Sequence, residues 1–233
     1  MKKILYIKSL IGEKPNGATN GNYFIEESQN NIVDELVRKY HYSHKPTKNR
    51  FKSFLVNGNK GFLQLGYGIR PTIKHTISEY ITRDNYCEFD RMWLSDELPK
   101  NSESQVISLL LFYIKIVYPK IKFIITYADG SAGNKGIIYQ ATNAISIGKI
   151  PCDFYILPNG ERIHPVSMYH RHKTRAKEFV EKQYPGIKHI KGEYYQYRYL
   201  YILNNSLRKK FQERNADFPS QRAWGSSTIP LII

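Results

Sequence analysis

The chain is poor in cysteine. Its 233 residues hold two, Cys87 and Cys152. Neither stands in a CxxC pair, and two thiols make no disulfide scaffold in a chain of this size. A disulfide-stapled secreted domain is therefore excluded, and a reducing intracellular setting is the simpler reading. No apolar run approaches 18 residues, so no membrane span is expected. The opening MKKILYIKSLIGEK is interrupted by Lys8 and followed by no small-residue cleavage site; it reads as a first strand rather than a signal peptide. No internal repeat is present. Acidic charge is also short: 20 Asp and Glu against 35 Lys and Arg leave a formal net charge of +15. Such a surplus makes a polyanion the first partner to consider, because neutralising phosphates releases counterions. A merely soluble basic protein is the plain alternative.

Aromatic residues are plentiful, with 19 Tyr and 11 Phe. Rings interleaved with Lys and Arg can stack on bases, although many of these Tyr suit strands or a core equally well.

The pattern of elements predicts an α/β protein. Lys3–Lys8 reads as a short buried strand. Glu27–Tyr40 places Ile32, Val33, Leu36 and Val37 on one helical face. Residues 40–50, YHYSHKPTKNR, form a basic loop broken by Pro46. Phe51–Val56 and Phe62–Tyr67 flank Asn57-Gly58-Asn59-Lys60-Gly61, a hairpin signal, and Gly66–Tyr86 is irregular. Glu88–Leu94 reads as a strand covered on both faces. Ser102 as N-cap, with Gln105 at capping-box spacing, opens a buried helix that runs to Val117 and stops before Pro119. Phe123–Tyr127 is a strand and Lys135–Ala144 a helix. Asp153–Leu157 and Glu161–His164 flank Pro158-Asn159-Gly160, a second hairpin. Ser167–Gln183 reads as one basic helix and Tyr197–Leu203 as an aromatic closing strand. This order implies a mixed central sheet with helices on both faces over residues 1–203, and a basic, then polar, extension over 204–233.

The stretch Phe123–Asn143, FIITYADGSAGNKGIIYQATN, carries most information. A run of β-formers stops at Asp129, small residues follow, and a helix starts: the pattern of a sheet's C-terminal edge, where α/β proteins place their sites. Four residues fall at the mouths of the two central strand–helix units: Arg91, Ser104, Asp129 and Tyr139. His41 and Tyr42 join them from the basic loop. Each has a bland reading. Arg91 is a structural ion-pair partner, Ser104 satisfies helix-start amides, Asp129 forms a turn before Gly130, Tyr139 is a core aromatic, and His41 is solvated. His41 and His44, three residues apart, are the only candidates for metal ligands.

For a nucleic-acid backbone the candidates are Lys45, Lys48, Arg50 and Lys52 in the loop, and Arg171, Lys173, Arg175 and Lys177 in the late helix, extended by Arg208, Lys209 and Lys210. Solvated charge is the alternative for each patch.

HYSH at 41–44, FDRMWLSDELPKNSES at 89–104, TYADGSAGNKGIIYQATN at 126–143, NGERIHP at 159–165 and YQYRYLYIL at 195–203 resemble the phage Mom family. The resemblance spans about Val33 to Leu203. It implies an acetyltransferase-like (GNAT-like) fold in which two central parallel strands splay apart, here Glu88–Leu94 and Phe123–Tyr127. It also implies addition of a carbamoylmethyl, glycinamide-like group to the N6 amine of adenine in phage DNA, which protects that DNA from restriction. On it His41, Tyr42, Arg91, Ser104, Asp129 and Tyr139 fall at positions of activity. Tyr42, Trp93 and Tyr139 are candidates for an aromatic wall around a flipped base. Asp129 is the candidate base, with His41 as the alternative because its ordinary pKa is near 6.5. The expected partners are double-stranded DNA, a transfer RNA, and a second copy of the chain in a homodimer, with no membrane.

Acyl-CoA enzymes of that fold cradle a pyrophosphate on a Gly-rich turn. Here Ser95-Asp96-Glu97-Leu98-Pro99-Lys100-Asn101 stands instead, with two acids and a residue lacking an amide donor. Acetyl-CoA is accordingly disfavoured as donor and a glycyl-tRNA favoured, with iron as a further candidate cofactor. Two other readings stay open: an acyl-CoA-dependent N-acyltransferase of the same fold, and a DNA-binding protein without catalysis.

Overall fold

The computed structural model describes residues 5–8, 15–68 and 77–214. They divide into two compact units: residues 1–127, 137–147 and 199–233 belong to the first, and residues 128–136 and 148–198 to the second.

The first unit is built on a sheet whose strands follow chain order: β1 (Leu5–Lys8), β2 (Pro15–Thr19), β3 (Phe24–Ser28), β4 (Arg50–Val56), β5 (Gly61–Tyr67), β6 (Tyr86–Leu94) and β7 (Phe123–Asp129). Neighbours are antiparallel up to β6, and β6 and β7 are parallel. The final residues of β10 (Lys188–Ile202) and the first of β8 (Ile145–Ile156) follow β7 in the strand order. Turn chemistry sets these hairpins. Asn20 Oδ1 accepts from the amides of Asn22 and Tyr23, closing the β2–β3 turn with a side chain. Asn57 and Gly58, at φ 45° and 69°, supply the left-handed backbone that the β4–β5 turn needs.

Helix α1 (Asn30–Tyr40) buries Val33 and Val37 against Phe62, with Leu36, Leu55 and Trp93 at the edge. Phe54, next to Leu55 along β4, meets Tyr113 of α2 (Ser102–Val117) edge to face at 5.5 Å. Successive strand residues point to opposite faces, so α1 and α2 cover opposite sides of the sheet, as the element order implied. A polar network ties α1 to its face. Arg50 bridges Asp34 at 2.8 Å, and buried Gln64 donates to Asp34 at 3.2 Å.

Several boundaries differ from the sequence reading. Glu27 lies in β3, not in α1, and its carboxylate accepts from Tyr113, Tyr118 and Lys52. The N-cap of α2 is Asn101, at φ 67°, with no side-chain cap bond. Ser102 donates its hydroxyl to the Pro99 carbonyl and shares a 2.8 Å bond with Tyr23, so no capping box forms. The expected helix over 135–144 is a short one, α3 (Ile137–Ala141). Of the irregular stretch Gly66–Tyr86, Gly66 and Tyr67 complete β5, 77–85 are turns, and 69–76 lie outside the described residues.

A second apolar cluster in this unit joins Ile81, Tyr86, Phe123, Ile125, Ile147, Leu200, Ile202 and Phe211. Phe211 is on the last helix, α6 (Asn205–Arg214), so the segment after Asn204 begins as a helix seated on this core. Residues 215–233, including the expected polar Gly225-Ser226-Ser227 end, lie outside the described residues.

The second unit uses the rest of β8 and β10 with β9 (Arg162–Ile163). Tyr155 pairs with Ile163 across the Pro158-Asn159-Gly160 turn. The expected helix over 167–183 is two helices, α4 (Pro165–His172) and α5 (Lys177–Gln183). Pro165 is suited to the first turn of α4, and Lys173 at φ 60° ends it. The core is Tyr155, Leu157, Ile163, Met168 and Val180. The β8 strand is longer than expected, running through Gly148 and Pro151, and β10 begins nine residues before Tyr197. Among the described residues no helix is long and apolar enough to cross a membrane.

Candidate active site

The parallel pairing of β6 with β7 runs from Tyr86↔Phe123 to Phe89↔Thr126 and stops, although β6 continues to Leu94. At that level β6 carries a bulge: Leu65 of β5 faces Phe89 while Gln64 faces Arg91, which makes Asp90 the extra residue. A bulge re-aims the side chains beside it. Here it puts Arg91 opposite Gln64, on the face that α1 covers. Thr126 Oγ1 donates to the Phe89 carbonyl at 3.0 Å and ties the fork.

Tyr139 of α3 lies at this fork. Its ring is edge-on to Phe89 at 6.3 Å and tilted against Tyr199 at 5.5 Å. Burial raises its phenol pKa most. A hydrogen bond with Thr126 and the charge of Arg91 lower it, and Tyr42 and Tyr199 add to the rise. Tyr139 is thus a neutral hydroxyl at physiological pH, within electrostatic reach of both Tyr42 and Arg91.

His41 and Tyr42 follow directly on α1. Their rings lie 4.4 Å apart, yet His41 is 5% exposed and Tyr42 58%. Burial pushes the His41 pKa down to about 4, helped by the charges of Arg91 and His44. Its Nδ1 accepts the Ser43 amide at 3.1 Å, so the neutral ring carries its proton on Nε2. His41 therefore presents a donor rather than a lone pair, and its pKa is far from the 6.5 that made it an alternative base. Arg91 has two backbone acceptors: Nε donates to Lys45 at 3.2 Å and a terminal nitrogen to Asp90 at 2.7 Å. It is held by carbonyls, and among the described residues it makes no ion pair of the kind its bland reading required. Gln64 holds the same loop by accepting the Thr47 amide at 3.3 Å. Asp90 has its pKa raised to about 7, by burial first and then by Glu88.

His41 is not set up as an iron ligand, because its Nδ1 accepts the Ser43 amide and its Nε2 carries the proton. His44 has its Nδ1 on the Arg38 carbonyl, 2.8 Å away, which leaves its Nε2 to ligate. Among the described residues no group of three or more His, Cys, Asp or Glu could hold a metal ion.

Asp129 ends β7, as expected, and belongs to the second unit. Its Oδ1 accepts from the Ser131 amide at 2.9 Å and hydroxyl at 2.5 Å, and its Oδ2 lies 3.8 Å from Arg162. Arg162 also donates to the Ser131 hydroxyl at 2.9 Å and stands over the Phe154 ring. Gly130 is required here: a Cβ on it would fall 2.4 Å from the Tyr195 carbonyl oxygen.

Other candidates are engaged in structural roles. Ser104 gives its hydroxyl to the Asn101 carbonyl at 3.0 Å and accepts from Ser108 on its own carbonyl, so its side chain serves a carbonyl and not the helix-start amides of its bland reading. Trp93 has one face covered by Tyr40, stacked at 4.2 Å. Arg50 is paired with Asp34 and Lys52 with Glu27, so these two serve the fold, while Lys45 and Lys48 are exposed. Arg171 is paired with Glu161, Lys177 with Glu181 and Lys209 with Glu213, and Arg208 donates to the Asn143 carbonyl. Lys173 and Arg175 are exposed. Sequence reasoning missed Thr126, Tyr199, Ser131 and Arg162. All four lie inside the motif stretches quoted above, but their types gave no separate signal.

A family model described as the Mom protein family matches residues 22–220. The "Methylcarbamoylase mom" of Escherichia phage Mu is 31% identical over 186 residues, 78% of this chain and 76% of that protein. Among solved structures, the spermidine/spermine N-acetyltransferase of Vibrio cholerae is similar over 81% of this chain and 97% of its own, at 8% identity and TM-score 0.45. An acetyltransferase of the GNAT family from Streptococcus pneumoniae is similar over 78% and 99%, at 8% identity and TM-score 0.42. With its matched span covering most of the chain and carrying the fork, the loop and the acid turn alike, this protein belongs to the Mom family.

Proposed function

We propose that this protein is a transferase that adds a carbamoylmethyl group to the N6 amine of adenine in DNA and so shields the DNA from restriction. The observation that carries this reading is the cluster at the β6–β7 fork: Tyr139 within electrostatic reach of both Arg91 and Tyr42 in a chain of the Mom family.

Adenine N6 is paired in the duplex, and its lone pair is delocalised into the ring. An enzyme acting there flips the base, at a cost of a few kcal/mol, and stacks it on aromatic rings. Exposed Tyr42 is suited to stacking. Tyr139, neutral and half-buried, donates or accepts at the base edge. Arg91 carries a fixed positive charge, held by two carbonyls, for negative charge developing on the donor's carbonyl or leaving group.

The donor proposed is an aminoacyl carrier such as glycyl-tRNA rather than acetyl-CoA: attack of N6 on its ester carbonyl expels the tRNA hydroxyl and gives a glycyl amide, which has the same atoms as the carbamoylmethyl group and must then isomerise to it. The connection between β6 and α2 has already used much of its backbone. The amides of Ser95, Glu97, Leu98 and Ser102 bond within the protein, Pro99 has no amide, and Glu97 faces Lys60 at 3.2 Å. Few donors remain there to cradle a pyrophosphate.

The test is nucleoside mass spectrometry of DNA from cells producing the protein. The wild type yields an adenine heavier by the added group; Arg91→Ala and Tyr139→Phe lower its yield about a hundredfold or more. Unmodified adenine with the wild type, in the presence of glycyl-tRNA and cell extract, overturns the reading.

A further inference from the structure

A cavity of about 220 Å³ in the second unit is lined by Asp153, Tyr155, Pro165, Arg175, His189 and Lys191. It is made from β8, the start of α4, the link between α4 and α5, and the start of β10. It holds one acid and three basic side chains. The acid has a hydrogen-bond partner: Asp153 meets His189 Nε2 at 2.8 Å. The His189 ring is fixed in turn by stacking on Tyr155 at 4.4 Å, with 26° between the planes. Arg175 and Lys191 are left. Among the described residues neither has an ion-pair partner, in contrast to Arg171 and Lys177 on the flanking helices, which are paired with Glu161 and Glu181.

We propose that this cavity binds a phosphodiester group, with Arg175 and Lys191 as its cationic ligands. Two unmatched cations facing one small concavity favour an anion of phosphate size. The guanidinium supplies a planar pair of donors for two phosphate oxygens, and the ammonium a point charge. The Asp153 carboxylate is turned to His189, whose ring lies on Tyr155. The helix over 167–183 that the sequence suggested as a backbone-binding patch is thus narrowed to one of its four cations, joined by a lysine 16 positions away. The proposal rests on the nucleic-acid reading given above only for the source of the phosphate, which is a DNA duplex or a transfer RNA.

The experiment is a salt titration of binding, read by fluorescence anisotropy, with a DNA duplex in one arm and an unacylated transfer RNA in the other. The proteins are the wild type, Arg175→Ala/Lys191→Ala, and Lys177→Ala, which removes a charge outside the cavity. The double variant is expected to bind about tenfold more weakly at moderate salt and to lower the slope of log K against log salt by about 1. Lys177→Ala leaves the slope as it was. A slope change in the duplex arm assigns the cavity to DNA, and one confined to the RNA arm assigns it to the transfer RNA. An unchanged slope in both arms, or an equal change with Lys177→Ala, overturns the site. Adenine modification is scored separately: a protein that modifies DNA with an unchanged slope loses the cavity and keeps the activity, and the reverse outcome does the opposite.

Discussion

Arg91 reaches the main-chain carbonyl of Lys45 across 3.2 Å, linking residues 46 positions apart. A strand side chain thereby holds the loop that carries His41 and Tyr42. The bulge at Asp90 makes this possible by setting Arg91 opposite Gln64 on the α1 face. The same guanidinium is one of the charges that keep His41 from taking a proton.

In Arg91→Ala, the His41 ring is expected to titrate above its present value of about 4 but still below 6.5, because burial, the larger cause, persists. Ring proton shifts followed against pH by NMR give the midpoint. A midpoint equal to that of the wild type contradicts the proximity of the two groups.

His41 and Asp90 give opposite pH dependences of stability. The folded His41 pKa is lowered to about 4, so the unfolded chain binds that proton more readily, and stability falls as pH drops from 6.5 towards 4. The full effect is on the order of 3 kcal/mol. The folded Asp90 pKa is raised to about 7, so its contribution is present at low pH and is lost as pH rises towards 7. Between pH 4 and 6.5 the two oppose. Relative to the wild type, Asp90→Asn is expected to lose stability more steeply on acidification, and His41→Gln less steeply. Urea midpoints at pH 7, 6 and 5 provide the comparison, and parallel curves for all three proteins contradict it.

Glu27 accepts from two phenols and an ammonium, with Lys52 at 2.7 Å. Glu27→Leu strands all three donors and is expected to cost about 2–3 kcal/mol. The loss is read from urea unfolding. A loss below about 0.5 kcal/mol, the scale of an ordinary surface substitution, shows the network to be dispensable.

Acetyl-CoA is expected to leave the melting temperature unchanged, because four amides of the β6–α2 connection are bonded within the protein and Pro99 has none. Thermal melting with and without millimolar acetyl-CoA tests this. A rise of several degrees restores the acyl-CoA reading.

The two central strands, the buried helix after them and the stop at Asp129 were legible because each rests on local chemistry: apolar runs, a following proline, an acid before glycine. The hairpin at Asn57-Gly58 was legible for the same reason. Strands β2 and β3 were not, although Asn20-Gly21 marks their turn, because PNGAT carries little β-propensity, FIEES has only two β-formers before its acids, and their pairing to neighbours decides. The helix over 167–183 looked continuous because Lys173 has no sequence mark of a left-handed residue; its φ of 60° is imposed by the end of α4. The site divides in the same way. Arg91 and Tyr139 stood out by position. The buried, donor-bearing state of His41 depends on Ser43 and the packing around it, which spacing does not encode. In the late basic patch Arg171 and Lys177 pair with Glu161 and Glu181, while Lys173 and Arg175 stay exposed, a division that spacing does not encode.

Trp93 lies flat on Tyr40, the last residue of α1 and the one before His41. With Trp224 replaced by phenylalanine, the remaining indole becomes a single emitter mounted at the root of the loop. Its brightness and colour then follow, in real time and without any label, whether that loop is docked or lifted while a substrate arrives.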